Sequence, residues 1–253
     1  MLKLYHWEPN AESLALLICL RELGAEVETS YVDVLQQEHY GSDYLGLSPK
    51  SIVPLLIADE VRMTDTMLAL QYLSESNPSA GLTPSDPAFW YDLQAWMSWL
   101  GGVHGLAADV QLLGWNYAML KVMPADQLDE FRARVAELPK EIQSGWAAVW
   151  SDAEAGADQL GIVTERVQKL LSRMQETLQG SLWLLGYDYS IVDIAAFSYV
   201  HGLVALLPDV LNGQRTPDVV NWCDRIAARP SVVAALGTRR SELAPVMYNA
   251  PGN

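Results

Sequence analysis

Short polar side chains stand where two helices are predicted to begin. Ser13 and Asn10 lie at the start of an apolar segment that predicts a helix, and Asp65-Thr66 opens another. The first N–H groups of a helix have no partner within it, so polar side chains beside them form an anion-binding site. We predict that Ser13 and Asp65-Thr66 bind anionic groups. The alternative is that Ser13 and Asp65 only cap their helices.

A third feature is Val53-Pro54, which precedes a predicted strand. The peptide bond before a proline can be cis, which would expose the N–H and C=O of Val53 at the edge of the sheet. The alternative is that Pro54 only starts the strand.

Other common catalytic signatures are missing from the sequence. It has no phosphate loop, nucleophile elbow or dinucleotide fingerprint, and no two histidines at metal-ligand spacing. The two cysteines, Cys19 and Cys223, cannot form a disulfide framework or a thiolate metal site, so no metal is expected.

The charge balance excludes polyanionic partners. The 253 residues include 16 Lys and Arg against 31 Asp and Glu, a formal charge of −15, and 50% are hydrophobic. A folded chain this acidic is a poor partner for nucleic acid or anionic lipid. The uncharged stretches 93–108 and 194–208 are shorter than the ~20 residues of a membrane span, and the N-terminus is typical of a strand rather than of a signal peptide. We expect a soluble, cytoplasmic protein.

The elements that would position these side chains change type near residue 80. Residues 1–78 alternate strands and helices as βαβ followed by ββα, with a second strand at 29–34 and a hairpin turn at Asp59-Glu60. Residues 79–86 are rich in turn formers and predict a linker. Residues 87–253 predict helices only, including an amphipathic helix over 160–178. The predicted fold is therefore a small α/β domain followed by a larger all-α domain.

These motifs together resemble the cytosolic glutathione S-transferase superfamily. Ile52-Val53-Pro54-Leu55, then Thr64-Asp65-Thr66, resemble its glutathione-binding region, and Ser190-Ile191-Val192-Asp193 resembles the cap of its buried helix. The likeness spans about residues 2–245. It implies a thioredoxin-like N-terminal domain, a capping box of Ser190 and Asp193, glutathione as cosubstrate, and a homodimer.

The resemblance also implies roles for single residues. Ser13, with Asn10 second, would contact the glutathione sulfur, and Val53 would pair with the cysteinyl main chain. Asp65 and Thr66 would hold the γ-glutamyl end, and His39 or Lys50 would meet the glycyl carboxylate. Ser51 and Thr66 depart from the Gly and Ser of the wider pattern, and no Cys or Tyr stands at positions 10–13, which argues against a mixed-disulfide mechanism.

Within the superfamily, the sequence is similar to the bacterial glutathione-dependent β-etherases of lignin breakdown. This predicts that the thiolate displaces the phenolate of an aryl ether beside a ketone. The candidate aromatic acceptor pocket consists of Trp96, Trp99, His104, Trp115 and Tyr117. Each tryptophan could instead belong to an ordinary helical core. The alternative functions are conjugation, dehalogenation, peroxide reduction or isomerisation on the same fold, and a non-catalytic interaction module.

The acidity extends to the domain that is predicted to bind an anionic tripeptide. Residues 1–80 contain four Lys and Arg against twelve Asp and Glu. Long-range attraction cannot explain binding there, so helix N-termini, main-chain amides and local cations must do so. We expect Lys50 and His39 to be those cations.

Overall fold

A four-stranded mixed sheet forms the N-terminal part of the chain. We describe residues 1–84, 86–101, 106–149, 154–186 and 188–240 of a computed structural model. Strands β1 (Leu2–His6), β2 (Val27–Tyr31), β3 (Leu55–Ala58) and β4 (Val61–Met63) are arranged in the order β2-β1-β3-β4. β1 is parallel to β2 and antiparallel to β3, and β3 is antiparallel to β4. The sheet confirms the predicted βαβ and ββα pattern.

The predicted hairpin turn is present, whereas the second strand has different bounds from those predicted. The hairpin turns at Asp59-Glu60, with Ala58 paired with Val61 and Asp59 at a φ of 53°. The second strand begins and ends earlier than the predicted 29–34. It ends at Tyr31 because Tyr31 pairs with His6, the last residue of β1, and leaves later residues without a partner strand.

Three helices belong to the sheet region: α1 (Ala11–Glu22), the short α2 (Ser42–Leu45) and α3 (Thr66–Glu75). The helices that follow are α4 (Trp90–Gly101), α5 (Leu106–Tyr117), α6 (Ala125–Ala136), α7 (Lys140–Val149), α8 (Glu154–Leu178), α9 (Ile191–Val200), α10 (Leu203–Leu206), α11 (Pro217–Ala227) and α12 (Pro230–Leu236). After β4, the described residues contain one isolated bridge, Trp183 to Gly186, and no strand. The architecture is a thioredoxin-like sheet region followed by a helical region.

The helix α9 forms the centre of the core. All ten of its residues are buried, and it packs against α1, whose residues 13–20 are also buried. Its N-terminus carries the predicted capping box: Ser190 Oγ accepts the N–H of Val192, and Asp193 accepts the N–H of Ser190. Asp193 also accepts hydrogen bonds from the N–H of Leu184 and the indole of Trp222. The cap therefore ties three segments of the helical region together.

One hydrophobic cluster contains residues of both predicted domains, from Leu4 to Ala235. A bidentate pair joins the two parts at the surface, where Arg229 donates to both carboxylate oxygens of Glu22 on α1. The sheet region and the helical region therefore pack directly against each other. The boundaries 1–78, 79–86 and 87–253 stay predictions.

The helices α6 and α7 cover a loop of the sheet region. The Arg134 guanidinium donates to the carbonyl of Leu35, and the Trp146 indole donates to the hydroxyl of Tyr40. Trp146 also packs edge-on against Trp115 of α5. The helices α6 and α7 thus support the loop that carries His39. No helix within the described ranges is both long enough and apolar enough to span a membrane.

Candidate active site

A cavity of about 270 Å³ lies where the sheet region meets the helical region. The start of α1, residues 51–53 and His39 line one side, while α5 and the end of α9 line the other. Of the predicted site residues, the cavity brings together Asn10, Ser13, His39, Val53 and Trp115. These residues come from distant parts of the chain.

Ser13 lies in the first turn of α1. Asn10 is the N-cap residue, with extended backbone and no capping bond from its side chain, so the cap is not Ser13. Ser13 is buried, and its Oγ accepts the N–H of Trp7 at 3.3 Å. The hydroxyl hydrogen can therefore be donated into the cavity, beside the unpaired N–H groups of the first helical turn. This arrangement favours a negative charge near Ser13.

Two residues of the cavity wall have unusual backbone conformations. Ala11 has a φ of 36° and Ser51 a φ of 56°, in the left-handed region that disfavours residues with a Cβ. Such conformations concentrate at functional sites. At Ser51 the positive φ also explains why a glycine would suit this position.

Val53 lines the same cavity. Its peptide bond to Pro54 is cis, and β3 begins only at Leu55, so Val53 lies outside the strand ladder. The preceding residue is held from both sides: the Tyr44 hydroxyl donates to the carbonyl of Ile52 at 2.6 Å, and the N–H of Ile52 donates to Ser48 Oγ at 3.1 Å. The loop therefore presents Val53 in a defined position.

Asp65 and Thr66 line a second cavity of about 320 Å³, which shares Glu12 and Ile52 with the first. Asp65 is the N-cap of α3 and accepts the N–H of Leu68 at 3.0 Å. Thr66 is buried, and its hydroxyl has no hydrogen-bond partner among the described residues. A buried polar group normally has a partner, so this hydroxyl is available to hydrogen-bond with a molecule in the second cavity.

The two expected cations behave differently from the prediction. Burial lowers the pKa of His39 to about 4, so His39 is neutral at pH 7 and the expectation that it is a cation is wrong. Its buried Nδ1 has no partner among the described residues, so the neutral ring can still take part in a hydrogen bond with a ligand. Lys50 is exposed and does not line either cavity.

The aromatic wall differs from the predicted set. Trp115 stacks on Trp7 with ring centroids 5.0 Å apart and planes 7° apart, and both line the cavity. Trp96 is buried in the main core, and Trp99 is exposed; the guanidinium of Arg173 lies over both rings.

Two further members of the predicted acceptor pocket are Tyr117 and His104. Tyr117 does not line the cavity, and His104 lies outside the described residues. Trp96 faces inward because it shares the core stripe of α4 with Leu93, Met97 and Leu100.

Several cavity residues were missed by sequence reasoning. Glu12 accepts a hydrogen bond from the Gln111 amide at 3.0 Å, and burial, with a smaller contribution from the charge of Asp65, raises its pKa to about 7. Tyr199 and His201 line the cavity from the end of α9. Glu12 adjoins Ser13 and could have been found from the sequence. Gln111 and Tyr199 carry no local signal, because only the packing of α5 and α9 on α1 brings them there.

Thiol and metal chemistry by the protein's own side chains finds little support in the described residues. No cluster of three or more His, Cys, Asp or Glu side chains suited to a metal occurs among them. Both cysteines are buried, and burial raises the pKa of Cys19 to about 12. Neither cysteine lines the cavity.

A thioredoxin-like sheet region joined to a helical region, with a cavity where the two meet, is the architecture of the two-domain glutathione transferases. The sequence model "Glutathione S-transferase, N-terminal domain" matches residues 1–75, and "Glutathione S-transferase, C-terminal domain" matches residues 140–239. The chain therefore belongs to the glutathione S-transferase superfamily.

Among individual relatives, the protein LigF of Sphingobium sp. (strain NBRC 103272 / SYK-6) is 28% identical over 242 residues, covering 91% of each chain. The crystal structure of the β-etherase LigF from Sphingobium sp. strain SYK-6 superimposes with a TM-score of 0.79 at 27% identity, over 94% of this chain and 99% of that one. The likeness to LigF thus extends over both domains.

Other similarities are shorter or concern the fold alone. Maleylacetoacetate isomerase of Rhizobium meliloti (strain 1021) is 30% identical over 84 residues, 33% of this chain and 39% of that protein. A glutathione transferase family member from Pseudomonas fluorescens pf-5, solved with two glutathione molecules bound, has a TM-score of 0.70 at 19% identity, over 93% of this chain and 92% of that one.

Proposed function

We propose that this protein activates the thiol of glutathione and uses the thiolate to cleave a β-aryl ether beside a ketone. The observation that carries the proposal is the position of Ser13 in the cavity. Its hydroxyl accepts the N–H of Trp7 and lies at the start of α1. The extended similarity to LigF, whose structure is described as that of a β-etherase, supports the choice of reaction.

Glutathione would span the two cavities. The γ-glutamyl carboxylate fits the start of α3, where the Thr66 hydroxyl has no partner among the described residues. The ammonium group of the same residue fits beside the carboxylates of Glu12 and Asp65. The cysteinyl main chain would pair with Val53, and its sulfur would then lie towards Ser13.

The candidate partners of the glycyl carboxylate are His39 and Lys50. His39 is neutral but can donate a hydrogen bond, whereas Lys50 is exposed and lines neither cavity. In an acidic sheet region, short-range hydrogen bonds rather than net charge would provide the affinity.

The central chemical task is to ionise the thiol. A free thiol has a pKa of about 8.5, so only a few per cent is thiolate at pH 7. A hydrogen bond from Ser13 and the partial charge of the α1 N-terminus both favour the thiolate. Lowering the pKa by one unit requires about 1.4 kcal/mol of preferential interaction with the thiolate, which is within the range of such contacts.

The thiolate would then attack the carbon that carries the aryl ether. The C–S bond forms as the C–O bond breaks, and the electron pair leaves with the phenolate. Trp7 and Trp115 provide an apolar wall on which an aromatic ring can pack.

The reaction class is tested by turnover of three substrates by the purified protein with glutathione. A β-aryl ether ketone, chlorodinitrobenzene and cumene hydroperoxide represent ether cleavage, conjugation and peroxide reduction. We expect the highest kcat/KM for the ether. A higher value for either of the others would favour the alternative transferase functions.

The role of Ser13 is tested by Ser13→Ala. We expect kcat/KM for the ether to fall about 10²-fold and the pKa of the bound thiol to rise by about one unit. The matched control is Ser198→Ala: Ser198 also lines the cavity, but its hydroxyl already donates to the carbonyl of Ala195. An unchanged thiol pKa in Ser13→Ala would show that another group activates the sulfur.

An interaction module on the same fold is the competing class. It predicts neither thermal stabilisation by glutathione nor retention on immobilised glutathione. The unpartnered Thr66 hydroxyl at the second cavity favours a ligand-binding protein instead.

We also propose that the protein is a cytoplasmic homodimer. The support for the dimer is the set of exposed apolar side chains Leu68 and Tyr72 on α3 and Trp90 and Tyr91 on α4, called here the exposed apolar surface of α3 and α4. The two helices pack on each other, so these side chains lie on neighbouring elements. Large exposed apolar patches mark interaction surfaces.

A further inference from the structure

Tyr199 has a buried hydroxyl that makes no hydrogen bond with the described residues. The residue lies near the end of α9 and is 1% exposed, and its Oη has no hydrogen-bond partner among the described residues. The other polar side chains nearby on this helix are satisfied: Asp193 accepts several hydrogen bonds, and Ser198 donates to Ala195. A buried hydroxyl without a partner destabilises a fold, so a ligand that accepts its hydrogen bond is a natural partner.

Tyr199 also lines the main cavity, together with Ser13, Val110 and Trp115. Burial, together with the nearby negative charges of Glu12 and Asp65, raises the pKa of Tyr199 well above its ordinary value. The phenol therefore stays protonated at neutral pH and offers a proton to an acceptor oxygen. Tyr199 belongs to α9 of the helical region, and Val53 of the sheet region lines the same cavity.

We infer that Tyr199 Oη donates a hydrogen bond to the carbonyl oxygen of the acceptor substrate, the ketone next to the carbon that glutathione attacks. This inference rests on the proposed function. Tyr199 would then be a catalytic residue that makes the cavity selective for electrophiles with a carbonyl beside the reacting carbon. Among the described residues that line the cavity, it combines full burial with an uncommitted hydroxyl.

The hydrogen bond would act on the displacement step. As the C–S bond forms and the C–O bond breaks, electron density at the reacting carbon is shared with the adjacent carbonyl, whose oxygen becomes more negative. A donor placed in advance stabilises this charge more in the transition state than in the ground state. The thiol loses one proton and the phenolate later takes up one, so the protons balance. The electron pair of the C–O bond leaves with the phenolate, so the step needs no oxidant or reductant.

The first test measures binding and needs no turnover. Two glutathione conjugates, S-phenacylglutathione and S-(2-phenylethyl)glutathione, differ chiefly in the ketone. For Tyr199→Phe we expect a loss of about tenfold in affinity for the phenacyl conjugate and less than twofold for the other. An equal loss for both conjugates, or no loss for either, would overturn the inference.

The second test measures reaction rates with phenacyl chloride and benzyl chloride, which share a leaving group and differ in the carbonyl. We expect Tyr199→Phe to lower kcat/KM for phenacyl chloride by about 10- to 100-fold and to leave benzyl chloride within twofold. The pKa of bound glutathione should stay unchanged. A parallel fall for both substrates with a raised thiol pKa would assign Tyr199 to the sulfur and overturn the inference.

The matched control is Tyr189→Phe. The Tyr189 hydroxyl is also buried without a partner among the described residues, but Tyr189 does not line the cavity and packs against Trp183 and Arg229. We expect it to change neither conjugate binding nor either rate. An equal effect on the phenacyl ligands would identify a structural cause and overturn the role of Tyr199.

The tests separate this inference from the proposed function. A wild-type protein that cleaves no β-aryl ether but binds the phenacyl conjugate through Tyr199 would contradict only the proposed reaction. A protein that cleaves the ether with Tyr199→Phe unchanged would contradict only the inference. Failure to bind either conjugate would overturn both, because the glutathione site is shared.

Discussion

Glu12 is the ionisable residue that links both cavities, and its position beside Ser13 makes it sensitive to pH. Its carboxylate is held by Gln111, and burial raises its pKa to about 7. An unfolded glutamate titrates near 4.3, so between about pH 4.5 and 7 the folded protein binds the proton more tightly than the unfolded chain. Stability from this group is therefore present at low pH and is lost as the pH rises through this range.

The variant Glu12→Gln should lack this loss. Between pH 5 and pH 8, we expect its free energy of unfolding to rise by about 1–3 kcal/mol relative to that of the wild type. Denaturant unfolding at the two pH values measures the difference. Glu75→Gln, at the exposed end of α3, is the control and should follow the wild type. Parallel pH profiles for Glu12→Gln and the wild type would contradict the raised pKa.

Ser51 gives a residue-scale prediction that concerns the backbone. Its φ of 56° disfavours a side chain, so Ser51→Gly should stabilise the protein by about 0.5 kcal/mol after the extra freedom of glycine in the unfolded chain is subtracted. The control is Ser76→Gly. Ser76 has a right-handed helical conformation with a φ of −72°, so this variant should be less stable than the wild type. Thermal unfolding distinguishes the two signs; the same sign in both variants would contradict the backbone argument.

At the scale of elements, the capping box at the start of α9 stabilises this helix, which also carries Tyr199. Asp193 is fully buried and accepts hydrogen bonds from Leu184, Ser190 and Trp222. Asp193→Ala leaves these buried donors without an acceptor, and we expect a loss of about 3–5 kcal/mol in unfolding free energy. Asp193→Asn, which keeps one acceptor oxygen, should lose less.

The control for this element is Asp224→Ala on the exposed side of α11, which should stay within about 0.5 kcal/mol of the wild type. Equilibrium unfolding in urea measures all three variants. Equal stabilities of Asp193→Ala and the wild type would show that the capping box contributes little to the fold.

At the scale of the whole molecule, the exposed apolar surface of α3 and α4 meets a strongly acidic chain. Leu68 is 60% exposed and Tyr91 79% exposed, while the chain carries a formal charge of −15. Two copies would attract through the apolar surface and repel through their charge. Salt screens the repulsion, so dimerisation should strengthen at higher ionic strength.

The double variant Leu68→Glu/Tyr91→Glu should be a monomer at micromolar concentration, measured by analytical ultracentrifugation. Val233→Glu adds a charge at an exposed apolar residue of α12 and should leave the dimer intact. A monomeric wild type, or a double variant that stays dimeric, would contradict the assignment of this surface.

The amino-acid sequence by itself determined the features that depend on near neighbours. The hairpin at Asp59-Glu60, the capping box of Ser190 and Asp193, and the long amphipathic α8 each involve residues a few positions apart. Local backbone preferences and helical spacing specify such features directly. The same holds for the two helix starts that carry Ser13 and Thr66.

The tertiary structure decided which side chains share a cavity. Trp7 and Trp115 stack although more than one hundred residues separate them, while Trp96 packs into the core. Tyr199 and Ser13 line one cavity only because α9 packs on α1. Burial, which makes His39 neutral and raises the pKa of Glu12, also arises only when distant segments exclude water together.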